Sequence, residues 1–344
     1  MMTKIKVGIS KGDLNGIGLE IIIKTFKDSR MLDFCTPIVF GSSKVASIHR
    51  KAIEMQDFNF NIINNIKDAN PKRANLLNIW NENIEIKFGE ATSKSGELSF
   101  DSLKKASDAL KNNDIDVLIT APINKASIQE KATSFIGHTE FLQGNFEGES
   151  LMIMVSERMR IAFVTGHVPL KEVKKSITTE NIILKTKKLN TALIQDFGIR
   201  TPKIAVLGLN PHAGENGLLG KEENEYIIPA VKKLKQEGIM AFGPYPADSF
   251  FINKNLENFD GVLSMYHDQG LTAFKTLSFS DGVNYTAGLN IVRTSPVHGT
   301  AYEISGQGVA DEKSFREAIF LACDIYKKRT EFKLLNKNPL VFKS

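Results

Sequence analysis

Three histidines each sit in a short motif of small, polar and acidic residues: His167 in Thr165-Gly166-His167-Val168-Pro169, His212 in Asn210-Pro211-His212-Ala213-Gly214-Glu215, and His267 in Tyr266-His267-Asp268-Gln269-Gly270. A run of β-branched or apolar residues precedes each one, at 161–164, 204–209 and 262–265. That pattern predicts each imidazole at the carboxyl end of a strand, where open α/β sheets carry their ligands. One histidine near a strand end is more often a hydrogen-bonded structural residue, or an acid, base or switch. Three from separate strands point to a metal site. Neutral imidazole suits zinc, cobalt, nickel and iron, and three protein ligands with open positions describe a catalytic rather than a closed structural site. Asp248, in Pro246-Ala247-Asp248-Ser249, and Asp268 are the candidates to orient those imidazoles or to serve as a general base.

A second constellation, Lys275, Asn284 and Arg293, follows the third histidine. A lysine point charge, an amide donor and a guanidinium fork can cradle a phosphate or carboxylate; equally, composition alone would scatter three such residues over a surface. Gly137-His138-Thr139-Glu140 adds polar groups, with His138 and Thr139 open to a second reading as the cap of a helix. Near the start, Gly12-Asp13-Leu14-Asn15-Gly16-Ile17-Gly18 links a strand to a helix but matches neither G-x-G-x-x-G nor G-x-x-x-x-G-K-[ST]. The following helix N-terminus is the only feature there that could attract an anion.

The elements that must position these residues alternate. Strands are expected at 4–10, 37–41, 116–120, 151–155, 161–165, 203–209, 261–265 and 289–294, and helices at 17–26, 99–111, 179–197, 222–236 and 313–328. Such alternation implies parallel βαβ units and an α/β fold with both sheet faces covered. At 344 residues the chain suits two domains. They are expected to interlock, one formed by 1–135 with 290–344 and the other by 136–289. The Asn-rich stretch 59–89 is expected to hold short strands or an insertion. A hydrophobic fraction of 42% and a charged fraction of 24% are those of an ordinary globular protein, and the net charge of +5 comes without any block of like charges. Nucleic acid is therefore not an expected partner. No stretch approaches the ~20 apolar residues of a membrane span, and no signal peptide is visible, so a cytoplasmic location is expected. Cys35 and Cys323 read as two reduced structural thiols.

Taken together, 12–20, 120–125, 137–141, 166–170, 208–215, 243–251, 266–271 and 282–308 resemble the 4-hydroxythreonine-4-phosphate dehydrogenase (PdxA) family over nearly the whole chain. The resemblance implies two α/β domains like those of isocitrate and isopropylmalate dehydrogenases, and a homodimer with its active site at the domain cleft and subunit interface. It implies a divalent ion (zinc, cobalt or magnesium) on His167, His212 and His267, one ligand coming from the partner subunit. His138, Thr139, Lys275, Asn284 and Arg293 match positions that contact the phosphorylated substrate. The stretch from Pro296 to Gly306 resembles the loop by which β-decarboxylating dehydrogenases hold the adenosine of NAD or NADP, which makes His298, Gly299, Thr300 and Ala301 the cofactor candidates. The implied reaction is oxidation of 4-phosphohydroxy-L-threonine in pyridoxal 5′-phosphate biosynthesis. Phosphorylated four-carbon sugar acids such as threonate or erythronate 4-phosphate are the alternative substrates, and a phosphate-acetyltransferase-like acyltransferase is the alternative from another class. Leu14 and Leu19 replace prolines usual in the family, and Val297 stands where an aspartate is common.

Overall fold

The computed structural model describes residues 4–133 and 135–338. Among them twelve strands follow in chain order: β1 (Ile5–Ser10), β2 (Cys35–Gly41), β3 (Asn61–Ile63), β4 (Asn75–Asn78), β5 (Val117–Thr120), β6 (Gly148–Val155), β7 (Arg160–Phe163), β8 (Lys203–Leu207), β9 (Met240–Tyr245), β10 (Gly261–Ser264), β11 (Val283–Leu289) and β12 (Arg293–Pro296). The chain forms two compact units, Met1–Gly148 with Leu289–Cys323, and Glu149–Gly288 with Asp324–Ser344. The fold is α/β, as the alternating pattern implies.

The first unit orders its strands β3-β4-β2-β1-β5-β12. The pairings β3–β4, β4–β2, β2–β1, β1–β5 and β5–β12 are all parallel. Parallel strands buried on both faces read as continuous apolar runs, and β2 is buried at every position. Helix Ser93–Lys111 lays Leu103, Ala106 and Leu110 into a core with Ile38, Phe40 and Leu118. It begins six residues before the expected start because Thr92 caps it, accepting the Ser95 amide at 3.2 Å. The Asn-rich stretch holds β3 and β4, whose Asn75 side chain is fully buried and donates to the carbonyls of Pro37, Asn70 and Arg73.

The second unit orders its strands β11-β6-β7-β10-β8-β9. β7, β10, β8 and β9 run parallel, whereas β6 and β7 are antiparallel. β9 and helix His267–Ser278 are among the elements of this unit that the sequence pattern did not predict. Gly270 hides that helix from a propensity reading, yet packing demands it. A Cβ there would lie 2.6 Å from the Ile161 side chain and 2.9 Å from that of Phe163, so the glycine lets the helix close onto β7.

The boundaries between the units differ from the expected ones. Residues 136–148 belong with the first unit because Leu142 is fully buried in its core. Residues from 324 onward belong with the second, where Arg329 binds Asp196 and the hydroxyl of buried Tyr285. The single strand expected at 289–294 is two strands, β11 and β12. Both cysteines are free and buried, and the Cys35 thiol donates to the Met31 carbonyl at 3.8 Å while Cys323 lies beside it. The contact with Cys323, followed by burial, raises the Cys35 thiol well above its usual range, as befits an inert structural thiol. No helix among the described residues is long and apolar enough to cross a membrane.

Candidate active site

In the second unit all three histidines follow the carboxyl ends of neighbouring parallel strands. His167 comes after β7, His267 after β10 and His212 after β8, and β10 pairs with both of the others. Side chains and backbone lace these ends together. The Thr165 hydroxyl donates to the Met265 carbonyl at 3.0 Å, and the Gln269 amide donates to the Gly208 carbonyl at 2.7 Å while its oxygen accepts the Met265 amide at 2.8 Å. Gln269, which sequence reasoning passed over, thus ties β10 to β8. The His167 and His267 rings lie 5.1 Å apart, and Phe163 stacks on His267 at 5.8 Å. Asp268 holds Nδ1 of His267 at 2.7 Å, which leaves Nε2 as that ring's other nitrogen.

His212 is presented differently. It opens a run of five residues in the left-handed region, His212, Ala213, Gly214, Glu215 and Asn216, with φ of 51, 50, 78, 42 and 58°. Each residue other than glycine costs roughly 1–2 kcal/mol in that conformation, so the turn persists only because its surroundings hold it. The buried Glu223 carboxylate accepts the amides of Leu209 and Asn210, each at 2.8 Å. Glu222 binds Lys174 at 2.9 Å and Asn210 at 2.8 Å, and these partners, Lys174 foremost, hold its carboxyl at about 2. Among the described residues, no group of three or more His, Cys, Asp or Glu side chains is arranged to hold a metal. Asp248 lies exposed on the short helix Ala247–Phe250. Lys275 lies on the helix that His267 begins, about 12 Å further along its axis at 1.5 Å per residue. Asn284 lies on β11 with its Oδ1 buried and unpartnered.

The first unit carries the remaining candidates. Arg293 is 2% exposed on β12 and donates through Nε to the Thr120 hydroxyl at 3.0 Å. Burial pulls its guanidinium down to about 9, with Glu140 partly opposing. His138 opens the helix His138–Gln143, and its Nε2 is buried without a partner. Burial, then the charges of Arg293 and Lys125, hold the ring well below the usual histidine range, so it is neutral. Neither His138 nor the Gly137 N-cap supplies a side-chain cap to that helix, which removes the capping reading of His138. Thr139 follows in the same turn, half-buried. Lys125, which the sequence reading placed in the family-like stretch 120–125 without a role, joins this cluster; a Cβ on Gly137 would sit 3.2 Å from its Nζ and 2.7 Å from Glu140 Oε2.

The glycine-rich loop at 12–18 is a structural hub rather than an anion site. The Ile17 amide at the head of its helix is taken by the Thr300 carbonyl at 3.1 Å, and Asp13 binds the Asn15 amide, the Ser95 hydroxyl and the Tyr302 hydroxyl. Asn15 in turn receives the amides of Lys87 and Gly89, each at 3.0 Å, which gives the stretch before Ser99 its role of packing over this loop. Leu14 and Leu19 are each 1% exposed, and the Leu14 carbonyl meets His49 Nε2 at 2.7 Å, so these departures from the family serve the core. The loop carrying His298, Gly299, Thr300 and Ala301 rests on the hub. Ala301 is left-handed, Val297 donates its amide to Ser314, and His298 Nε2 is buried without a partner.

A parallel run of strands with imidazoles gathered at their carboxyl ends is the layout of an enzyme of the α/β class. The family model of the pyridoxal phosphate biosynthetic protein PdxA matches residues 33–322. A 4-hydroxythreonine-4-phosphate dehydrogenase from Bacteroides thetaiotaomicron is 48% identical over 340 residues, 98% of this chain and 93% of the relative. An Oceanobacillus iheyensis protein provisionally assigned as a D-threonate 4-phosphate dehydrogenase is 37% identical, over 94% of this chain and 99% of its own. The crystal structure of 4-hydroxythreonine-4-phosphate dehydrogenase from Klebsiella pneumoniae superposes with a TM-score of 0.77 at 31% identity, covering 94% of this chain and 98% of that one. The chain belongs to the PdxA family, and it is an enzyme, a dehydrogenase.

Proposed function

We propose that the chain oxidises the C3 hydroxyl of 4-phosphohydroxy-L-threonine with NAD or NADP as acceptor, as a homodimer. The product, 2-amino-3-oxo-4-phosphooxybutanoate, is a β-keto acid that loses carbon dioxide to give 3-amino-2-oxopropyl phosphate, a step in pyridoxal 5′-phosphate biosynthesis. What carries this reading is the gathering of His167, His267 and His212 behind three neighbouring strands in a chain 48% identical to a dehydrogenase of that name. His167, His212 and His267, one of them from a partner subunit, would hold a divalent ion, and His298, Gly299, Thr300 and Ala301 the dinucleotide. When bound, the ion polarises the substrate hydroxyl and the nicotinamide accepts the hydride.

The chain's own residues supply the alignment. Arg293, Lys275 and Asn284 hold the phosphate, so that binding energy remote from C3 fixes the geometry of the reacting atoms. A guanidinium on a residue only 2% exposed and already oriented by Thr120 loses little freedom when it grips an anion. Neutral His138 offers its unpartnered Nε2 to a substrate oxygen, and Thr139 adds a hydroxyl. Asp268 keeps His267 in one orientation. Asp268 or exposed Asp248 would serve as the general base that accepts the hydroxyl proton.

The relatives assigned to D-threonate 4-phosphate motivate the second reading, in which a sugar-acid phosphate is the substrate. The test is NADH formation by metal-stripped protein supplied with zinc, cobalt or magnesium and either substrate. Turnover with 4-phosphohydroxy-L-threonine that requires added metal is the expected result. Turnover with threonate or erythronate 4-phosphate alone would move the assignment to the sugar acids, and turnover indifferent to metal would overturn the histidine site. In the same assay, Arg293→Ala is expected to raise KM for the phosphorylated substrate at least 10-fold, the loss of about 1.4 kcal/mol.

A further inference from the structure

We propose that Glu223 is a positioning residue, whose buried carboxylate sets the turn that displays His212. The proposal rests on the reading of His212 as a metal ligand. Glu223 is 2% exposed, yet among the described residues no lysine or arginine forms an ion pair with it; its charge is spent on N–H groups of the turn. Oε1 accepts the amides of Leu209 and Asn210, each at 2.8 Å, and Oε2 accepts the Asn210 side-chain amide at 2.9 Å. These bonds grip the chain two residues before His212. The same carboxylate also bounds the turn from its far side. A Cβ on Gly214 would lie 2.5 Å from Glu223 Oε2, and one on Gly208 would lie 3.2 Å from Oε1 and 2.9 Å from the Cα of Ala213.

The left-handed run thus folds around one carboxylate. Gly214, at φ 78°, is the point where the backbone passes closest to it, and no other residue would fit. Glu223 itself opens a π-helical turn, Glu223–Ile227, before the regular helix Ile228–Gln236, and such one-turn irregularities often mark functional positions. The chemistry requires a carboxylate. Three N–H groups converge on its two oxygens, whereas a carboxamide has one accepting oxygen and would turn its own N–H2 toward a donor.

The test is a Co2+ titration of the metal-stripped, full-length protein, followed by visible absorbance, for wild type, E223Q, H212A and E223Q/H212A. Thermal melts of each variant run alongside. E223Q is expected to weaken Co2+ binding 10- to 100-fold, the range of residues that orient metal ligands. H212A is expected to weaken it further, and the double variant should match H212A, because Glu223 acts through His212. E223D, which keeps the charge on a shorter arm, is expected to recover part of the lost affinity. Should E223Q melt before it can be titrated, G214A presses on the same carboxylate from the other side and is expected to give the same pattern against H212A. Co2+ affinity of E223Q within twofold of wild type, or an equal loss on top of H212A, would overturn the positioning role while leaving His212 a ligand. Wild-type affinity in H212A would instead overturn the metal reading itself, and this proposal with it.

Discussion

The glycine loop of the first unit and the histidine turns of the second are both strand-to-helix connections rich in small residues, and they spend their polar groups in opposite ways. At 12–18, Asp13 and Asn15 are each 1% exposed or less, and their hydrogen bonds run inward to Ser95, Tyr302, Thr92 and the amide of Lys87. Around 165–169 and 210–216 the backbone is held by Thr165, Gln269 and Glu223 while His167 and His212 lie exposed. A loop whose polar groups satisfy one another is a joint, and one whose scaffold is satisfied while its imidazoles reach outward is a site.

The contrast is sharpest in a paired experiment. Asp13→Ala strips two buried donors and the half-buried Tyr302 hydroxyl of their acceptor at once and is expected to cost about 3–5 kcal/mol of stability, the range for opening a buried polar network. His167→Ala, at an exposed position, is expected to leave the melting temperature within a few degrees and to abolish metal-dependent NADH formation. Chemical denaturation and steady-state assays on both proteins measure this directly; a stable Asp13→Ala protein without activity would reverse the assignment of the two loops. Gly270→Ala should be milder. The added methyl meets Ile161 and Phe163, an overpacking that typically costs about 1–3 kcal/mol, and because the same helix begins with His267, KM and kcat are expected to shift as well. Stability loss with unchanged kinetics would detach the helix from the site.

A further effect belongs to the joint and is read in acid. His49, fully buried against the Leu14 carbonyl and the Phe88 ring, is held at about 4 by desolvation, against 6.5 in a free chain. A histidine depressed on folding contributes stability that is complete above 6.5 and is lost as pH falls toward 4, because the unfolded chain takes up the proton first. Over that window the protein is expected to lose roughly 3 kcal/mol through this group. His49→Gln, whose amide can still donate to Leu14, should flatten that part of the profile in urea melts at pH 7, 5.5 and 4.5. An unchanged profile would show that His49 charges freely in the native state.

Local pattern carried much of this molecule. The apolar runs before His167, His212 and His267 marked strands whose carboxyl ends do carry the imidazoles, and the two periodicities identified an α/β fold. Where competing signals shared a segment, local reading failed: Gly270 concealed a helix, and Gly243 and Pro244 concealed β9. Glu223, Gln269 and Lys125 left no mark in their own neighbourhoods, since an acid, an amide or a lysine on a helix ordinarily reads as solvated surface.

By itself the sequence determined which segments become strand and helix, because side-chain periodicity and capping act over a few residues and are written in them. It also determined that three imidazoles end strands. Only the tertiary structure decided that β10 lies between β7 and β8, which brings His267 beside both neighbours against their order in the chain. It decided too that the Glu223 carboxylate closes on a turn more than ten residues away, and that the segment before Ser99 seals the glycine loop. Strand order and buried polar pairing are chosen by what the whole chain can bury and satisfy at once, and no window of neighbouring residues contains that information.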